Sequence, residues 1–206
     1  MTDALSRYFT KIGGGMSEVL PGLYIGCLRD ANDEKQLQVN KISHVLAIHD
    51  RSDTAEAGRL CARLGLARLS VNMPDSVSAD ILANVDVTND FIEDARRNQG
   101  NVLVHCFLGS SRSASVVLAY LMTKTRRDYF TCLELVTAMR PTANPNIGFR
   151  MELKKFENSK QGDDERLRFH DKHTNACQPT AERDAAMLSE RLSRAVHYSL
   201  KQTPSG

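Results

Sequence analysis

From Glu18 onward, short apolar runs alternate with polar stretches of helical period. VLPGLYIG (19–26) predicts two short strands about a Pro-Gly turn. RDANDEKQLQVN (29–40) is polar and predicts helix. SHVLAIH (43–49) and ARLSVNM (67–73) predict strands, the second with visible alternation, and a polar, variable-looking stretch separates them. Residues 79–98 predict one helix, with Ser78 at its N-cap and Asp80 in its first turn. Ile81, Val85, Thr88, Ile92 and Ala95 recur there at helical spacing. Arg96 and Arg97 close it where the macrodipole favours cations, and Gly100 follows. NVLVH (101–105) predicts a strand, residues 112–124 a helix, and 128–139 and 147–158 two more. Strands alternating with helices point to an α/β domain built on a mostly parallel sheet flanked by helices.

Beyond Lys160 the pattern breaks. QGDDERLRFHDKHTNACQPT holds few large apolar residues and mixed charge, so it reads as a linker or loosely attached tail. Residues 181–201 regain a helical stripe through Ala181, Ala185, Leu188, Leu192, Val196 and Leu200. The expected organisation is an N-terminal extension (1–16), a catalytic domain (17–160), and a linker with a C-terminal helix (161–206).

Composition narrows the function classes. A net charge of +2 is far from the basic surface of a nucleic-acid binder, so no nucleic-acid partner is expected. No apolar run is long enough to cross a bilayer, and MTDALSRYFTKIGGG lacks the apolar region of a secretory signal. Thr2 stands where N-myristoylation requires glycine, so no membrane anchor is evident. The expected location is the cytoplasm, or cytoplasm and nucleus, and the expected state a monomer. The five cysteines are irregularly spaced without a Cys-x-x-Cys pair, which argues for reduced thiols and against structural zinc. His170-x-x-His173-x-x-x-Cys177 has polar flanks and no evident fourth ligand, so neither metal nor cofactor is expected.

The chemistry gathers in HCFLGSSR (105–112), directly after NVLV. A strand that stops at a loop leading into a helix N-terminus makes an anion site: loop amides converge, and the helix adds about half a positive charge. Gly109 permits a backbone turn that a side chain would obstruct. Phe107, Leu108, Gly109, Ser110, Ser111 and Arg112 can then direct their N–H groups into one nest for phosphate oxygens, with the Arg112 fork matching two of them. Cys106 sits at the base, where the same field favours the attacking thiolate. Bare Cys-x5-Arg spacing is weak evidence, since the chain holds a second match from Cys177 to Arg183. That match lacks a preceding strand and a glycine, and carries Pro179 and Glu182, which remove an amide donor and repel phosphate.

With His105, Gly109, Ser111 and Ser113 included, HCFLGSSRS resembles the signature loop of the cysteine-dependent protein tyrosine phosphatases, in its dual-specificity form. The resemblance spans about 17–158. It takes in LPGLYIG, the aspartate loop MPDS (73–76), and RPTANPNIGF with LKKFE at 140–157. It is most like the small atypical dual-specificity phosphatases, in the subgroup represented by the JNK-pathway-associated phosphatase. It implies a protein tyrosine phosphatase-like fold, and cleavage of phosphotyrosine and phosphoserine/threonine through a phosphocysteine on Cys106. By the same resemblance Asp75 is the general acid, Arg112 holds the phosphoryl oxygens, and Ser113 helps the thiolate leave. His105 is expected to orient the loop by hydrogen bonding. Asn144 and Asn146 either brace the loop or simply turn the chain before the helix at 147. Asp80 and Asp86, within the predicted helix, are not expected to be the acid. Phosphorylated proteins, with MAP kinase signalling as the setting, are the implied partners. Leu108 stands where many relatives carry alanine, a change at the rim that removes no catalytic group. That subgroup often begins Met-Gly and is myristoylated; here fifteen residues precede Met16 and Ser17 follows it, so membrane attachment does not carry over. Two other readings remain: a pseudophosphatase that binds phosphoproteins without cleaving them, and a phosphoinositide phosphatase.

Overall fold

The computed structural model describes residues 15–50, 55–174 and, beyond these, Asp184, Met187 and Glu190. Five strands form one sheet in the order β1-β2-β5-β3-β4: β1 Ser17–Leu20, β2 Leu23–Cys27, β3 Ile42–His49, β4 Ala67–Asn72 and β5 Asn101–Cys106. Only β1 runs antiparallel, joined to β2 by the predicted Pro-Gly turn; the other pairings are parallel. Parallel strands need covered faces, and β5 at the centre is buried from Val102 to Cys106.

One face carries three helices: α1 Leu28–Ala31, α2 Glu34–Val39 and α3 Ala55–Leu64. There Leu37, Ala57, Leu60 and Cys61 pack on Val45 and Leu103. The other face carries α4 Val85–Arg97, α5 Arg112–Thr125, α6 Tyr129–Met139, α7 Ile147–Glu157 and α8 Lys160–Thr174. At its centre α5 is buried at every position from Arg112 to Thr123. The sheet therefore delivers the C-terminal ends of β3, β4 and β5 to one edge, where the loop after β5 feeds directly into the central helix.

Three expectations require correction. The polar stretch between β3 and β4 contains α3, whose buried Ala57, Leu60 and Cys61 recur at helical spacing. The helix predicted from residue 79 begins only at Val85. Residues before it turn instead: Asp80 Oδ1 accepts from the Leu82 amide at 2.9 Å, and Glu152 of α7 takes the Ile81 amide at 2.9 Å. Ser78 caps nothing, and Asp80 is not helical. Third, the stretch after Lys160 is no loose linker as far as Thr174, because α8 docks on α4 and α5. Phe169 is buried edge-on to the Tyr120 ring, with centroids 6.1 Å apart. The helix is held mainly by charge. Arg168, Lys172 and His173 converge on Asp90 at 2.9, 2.7 and 2.9 Å, and Glu165 accepts from Asn89 at 2.8 Å. Burial would raise the Asp90 carboxyl, but those hydrogen bonds outweigh it and bring it down to about 2. Farther on, Asp184 forms a buried two-pronged pair with Arg96 at 2.9 and 2.5 Å. The stripe residues Ala181, Ala185, Leu188, Leu192, Val196 and Leu200, and residues 1–14, lie outside the described residues.

Because Phe169 fills the α4–α5–α8 junction, Phe169→Ala should destabilise the protein by about 3 kcal/mol, the lower end for a buried phenylalanine. The melting temperature should fall by roughly 6–12 °C in a chain of this size. A calorimetric shift under about 2 °C would mean that α8 is not part of the folded unit.

Candidate active site

The loop between β5 and α5 is shaped by where its carbonyls go. The Leu28 amide holds the Phe107 carbonyl at 3.2 Å, Arg140 Nε the Gly109 carbonyl at 2.7 Å, and the Asn144 amide the Ser110 carbonyl at 2.8 Å. A planar trans peptide whose carbonyl is drawn outward turns the following N–H inward. Three captured carbonyls thus turn several amides toward one concavity, the arrangement of an anion nest. Gly109 makes the turn at φ +69°, where a Cβ would land 2.5 Å from the Gly26 carbonyl oxygen and from Arg140 Nη2.

Cys106 lies at the floor, 3% exposed. Its sulfur accepts from the Gly109 amide at 3.2 Å and lies 3.3 Å from Ser113 Oγ in the first turn of α5. Arg112 opens that helix, buried, with Nη1 donating to the Met73 carbonyl at 3.3 Å and Nε 3.8 Å from Asp75 Oδ2. Nε makes no hydrogen bond, so part of the fork is unspent. Asp75 stands on the loop after β4, about one-third exposed. Ser111 Oγ donates to its Oδ1 at 2.7 Å, and Asn146 Nδ2 donates to the same oxygen at 2.8 Å. Ser111 Oγ in turn accepts from the Asn146 amide at 3.1 Å. A thiol, an arginine fork, a convergent set of amides and a carboxylate are thus assembled around one small concavity. The set is suited to in-line displacement at a tetrahedral anion, with the sulfur attacking and the carboxyl group handling the departing oxygen.

The family model of the dual specificity phosphatase catalytic domain matches residues 23–159. The chain belongs to the dual specificity phosphatase family. Mouse dual specificity protein phosphatase 15 is 43% identical over 145 residues, which cover 70% of this chain and 59% of that protein. Human dual specificity protein phosphatase 22 is 38% identical over 146 residues, covering 71% and 76%. A crystal structure of DUSP15 superposes with a TM-score of 0.68 at 35% identity, over 79% of this chain and 99% of that one. The human tyrosine phosphatase-like serine/threonine/tyrosine-interacting protein gives 0.61 at 29% identity, over 69% and 95%.

Within this dual specificity phosphatase domain the sequence-predicted residues come together: Cys106, Arg112, Asp75 and Ser113 share one site. Of the expected substrate-binding positions, Gly109 and Ser111 are buried, Leu108 and Ser110 half-buried, and Phe107 exposed on the rim. The Ser111 hydroxyl is committed to Asp75 and its carbonyl to Ser115, so its backbone N–H is the group left to meet a substrate. Asn146 braces Asp75 and also caps α7, accepting from the Phe149 amide at 3.0 Å, whereas Asn144 meets the loop only through its backbone amide and its side chain accepts from Arg150. Asp80 is spent on its own turn, and Asp86 lies exposed in the first turn of α4. The second Cys-x5-Arg match, Cys177 to Arg183, lies outside the described residues. His173, once a metal candidate, is engaged with Asp90; among the described residues no group of His, Cys, Asp and Glu is arranged to hold a metal.

Two groups went unread. Arg140 clamps the Gly109 carbonyl, and its Nη1 also donates to the Gly15 and Ile25 carbonyls. Asp30, 4.0 Å from Arg140 Nη2, holds the Cys27 amide at 2.8 Å beneath the loop. His105 lies under the start of the loop. Its ring is buried beside Cys106, and neither nitrogen makes a hydrogen bond of ordinary geometry. Burial chiefly pushes it down to about 4, opposed by a hydrogen-bonding pull from the Cys106 backbone, and the charges of Arg68 and Arg112 add to the lowering. Burial keeps the ring neutral, and its polar pull is on the Cys106 backbone.

A pH dependence follows from His105. An unfolded histidine titrates near 6.5. Between that pH and about 4 the unfolded chain therefore carries a proton that the folded chain refuses. Unfolding takes up that proton, so the His105 contribution to stability falls as pH drops from about 6.5 to 4 and levels off below. Urea titrations across this window should show a slope lower by about one proton in His105→Asn than in the unaltered protein. His44, lowered by burial too, and Asp90, held near 2, leave a remainder of the same sign. Identical slopes in the two proteins would mean that the ring is protonated in the fold.

Proposed function

We propose that this protein is a protein phosphatase that hydrolyses phosphotyrosine and phosphoserine/phosphothreonine through a phosphocysteine. The observation that carries this reading is the Cys106 sulfur at the floor of the amide nest, 3.2 Å from the Gly109 amide and 3.3 Å from Ser113 Oγ. Cys106 thiolate attacks phosphorus; the S–P bond forms as the ester P–O bond breaks, and Asp75 passes its proton to the leaving oxygen. Asp75, now a carboxylate, takes a proton from water. That water's oxygen bonds to phosphorus as the S–P bond breaks, and inorganic phosphate leaves. Arg112 and the loop amides hold the equatorial oxygens through both steps, and Ser113 donates to the departing thiolate. No step requires a metal or cofactor.

The loop residues FLGSS contain no lysine, which supports phosphoprotein over phosphoinositide substrates. MAP kinase signalling is the setting suggested by the resemblance to the JNK-pathway-associated subgroup. A phosphoprotein-binding module that does not cleave has no use for a thiol aimed into the nest or for a braced carboxylate beside it. Both are present, which favours catalysis.

Cys106→Ser should abolish turnover of a chromogenic aryl phosphate while retaining phosphopeptide binding; unchanged turnover would overturn the mechanism. Asp75→Asn should lower kcat on phosphopeptides by roughly 10²–10⁴-fold, the usual worth of general acid catalysis. The loss should shrink on aryl esters whose phenols are strongly acidic. The measurement is kcat against leaving-group pKa for Asp75→Asn beside Asp80→Asn and Asp86→Asn. If the Asp75 variant shows no steeper dependence than the unaltered protein, the acid lies elsewhere.

A further inference from the structure

The acid loop is seated on the start of α7. A Cβ on Gly148 would fall 2.6 Å from the Cα of Val77, so the Val77 backbone rests directly on this glycine. Two contacts flank the seat, Asn146 Nδ2 on Asp75 at one end and the Ile81 amide on Glu152 at the other. Ala79, Ile81 and Leu82 turn inward and are buried, as apolar residues on such a seam should be. Val77 does not follow them.

Val77 is 63% exposed, Ile147 60% and Met151 54%. Ile147 and Met151 are four residues apart and so share one face of α7, and Gly148 beneath Val77 lies between them. Val77, seated over Gly148, thus stands beside the face that Ile147 and Met151 present, two residues beyond Asp75 and one beyond Asn146. A fourth exposed apolar side chain, Phe107, stands on the loop itself. Eight large apolar side chains are exposed among the described residues, and these four stand on the acid loop, the start of α7 and the loop after β5. Single exposed apolar residues need no explanation, but a contiguous group at a cleft marks a contact surface.

The occupant follows from the position. Asp75 must reach the oxygen of the phosphorylated residue, so the substrate backbone passes beside it. An extended peptide advances about 3.3 Å per residue. A substrate chain leaving the pocket over α7 thus brings its second or third residue from the phosphorylated one onto Val77, Ile147 and Met151. We propose that these three side chains form a specificity surface for the substrate polypeptide, taking a large apolar side chain two or three residues from the phosphorylated residue. This rests on the protein phosphatase reading above.

The test uses the Cys106→Ser protein, so that affinity is read without turnover, and phosphotyrosine peptides in fluorescence anisotropy. One carries leucine two and three residues before the phosphotyrosine, one carries it two and three residues after, and one has serine at all four positions. Unphosphorylated versions of each complete the set. One leucine peptide should bind about tenfold more tightly than the serine peptide, equivalent to about 1.4 kcal/mol. Adding Ile147→Ser and Met151→Ser should bring that ratio near one; because the ratio is taken within a single protein, general damage cancels. Equal affinities for all three phosphopeptides, or a ratio that survives the double substitution, would overturn the surface. If phosphorylation itself gives no gain in affinity, the phosphoprotein reading of the site falls, and this proposal with it.

Discussion

A buried arginine pulling on one carbonyl shapes the mouth of this molecule. Arg140 is 1% exposed and turns the Gly109 carbonyl outward, and the nest depends on that inversion, since a peptide that shows its oxygen to phosphate repels it. Taking a guanidinium out of water costs several kcal/mol unless its donors are met. Here Gly109, Gly15 and Ile25 supply carbonyls, and Asp30 supplies charge at 4.0 Å. Asp30 also holds the Cys27 amide at the end of β2, and Cys27 pairs with Cys106 across the parallel ladder. Sheet end, clamp and loop are therefore one hydrogen-bonded assembly, with the nucleophile at its floor.

Legibility in the sequence follows the range of the interaction. Cys106, Gly109, Arg112 and Ser113 lie within eight residues, on a strand, a loop and a helix start whose apolar patterns are all local. Asp75 was readable because MPDS follows a strand and resembles the family's aspartate loop. Arg140 and Asp30 were not, since Arg140 acts on Gly109, far along the chain, and Asp30 meets Arg140 only in the fold, so the pattern around neither shows what it holds. Residues 79–84 misled for a related reason. Ile81 keeps the helical phase of Val85, Thr88 and Ile92, but Glu152 on a distant helix captures the Ile81 amide, and a turn results. For α8 the failure is of another kind. Apolar periodicity reports only what is held by apolar contact, and this helix binds α4 chiefly through Asp90 and Glu165, so a search for hydrophobic stripes reads it as linker.

The acid and the nest share a support. Ser111 belongs to the loop and caps α5 through its backbone, while its hydroxyl is spent between Asn146 and Asp75. Asn146 is simultaneously the N-cap of α7. The position of the carboxylate is thus referred to two helix starts at once, which limits how far Asp75 can drift from Arg112 while leaving it about one-third exposed at the mouth.

What sets the rotation of α5 is less evident, because the helix is buried on every side. A one-sided stripe orients a surface helix, but one that is apolar all round has no preferred face. The directional groups supply the answer. Tyr120 Oη donates to Glu93 at 2.6 Å and accepts from Arg96 at 2.6 Å; Lys124 binds Glu93 at 2.7 Å; Thr123 accepts from Asn89 at 3.2 Å. Their partners all lie on α4, so these bonds peg the C-terminal half of α5 at one angle. A slip of one residue would turn the helix by about 100°. It would break these bonds together and replace Ser113 beside the Cys106 sulfur with a neighbour that has no hydroxyl. The polar seam with α4, roughly 10–16 Å along the helix from Ser113 at about 1.5 Å per residue, therefore fixes which side chain the nucleophile meets. The apolar core alone does not.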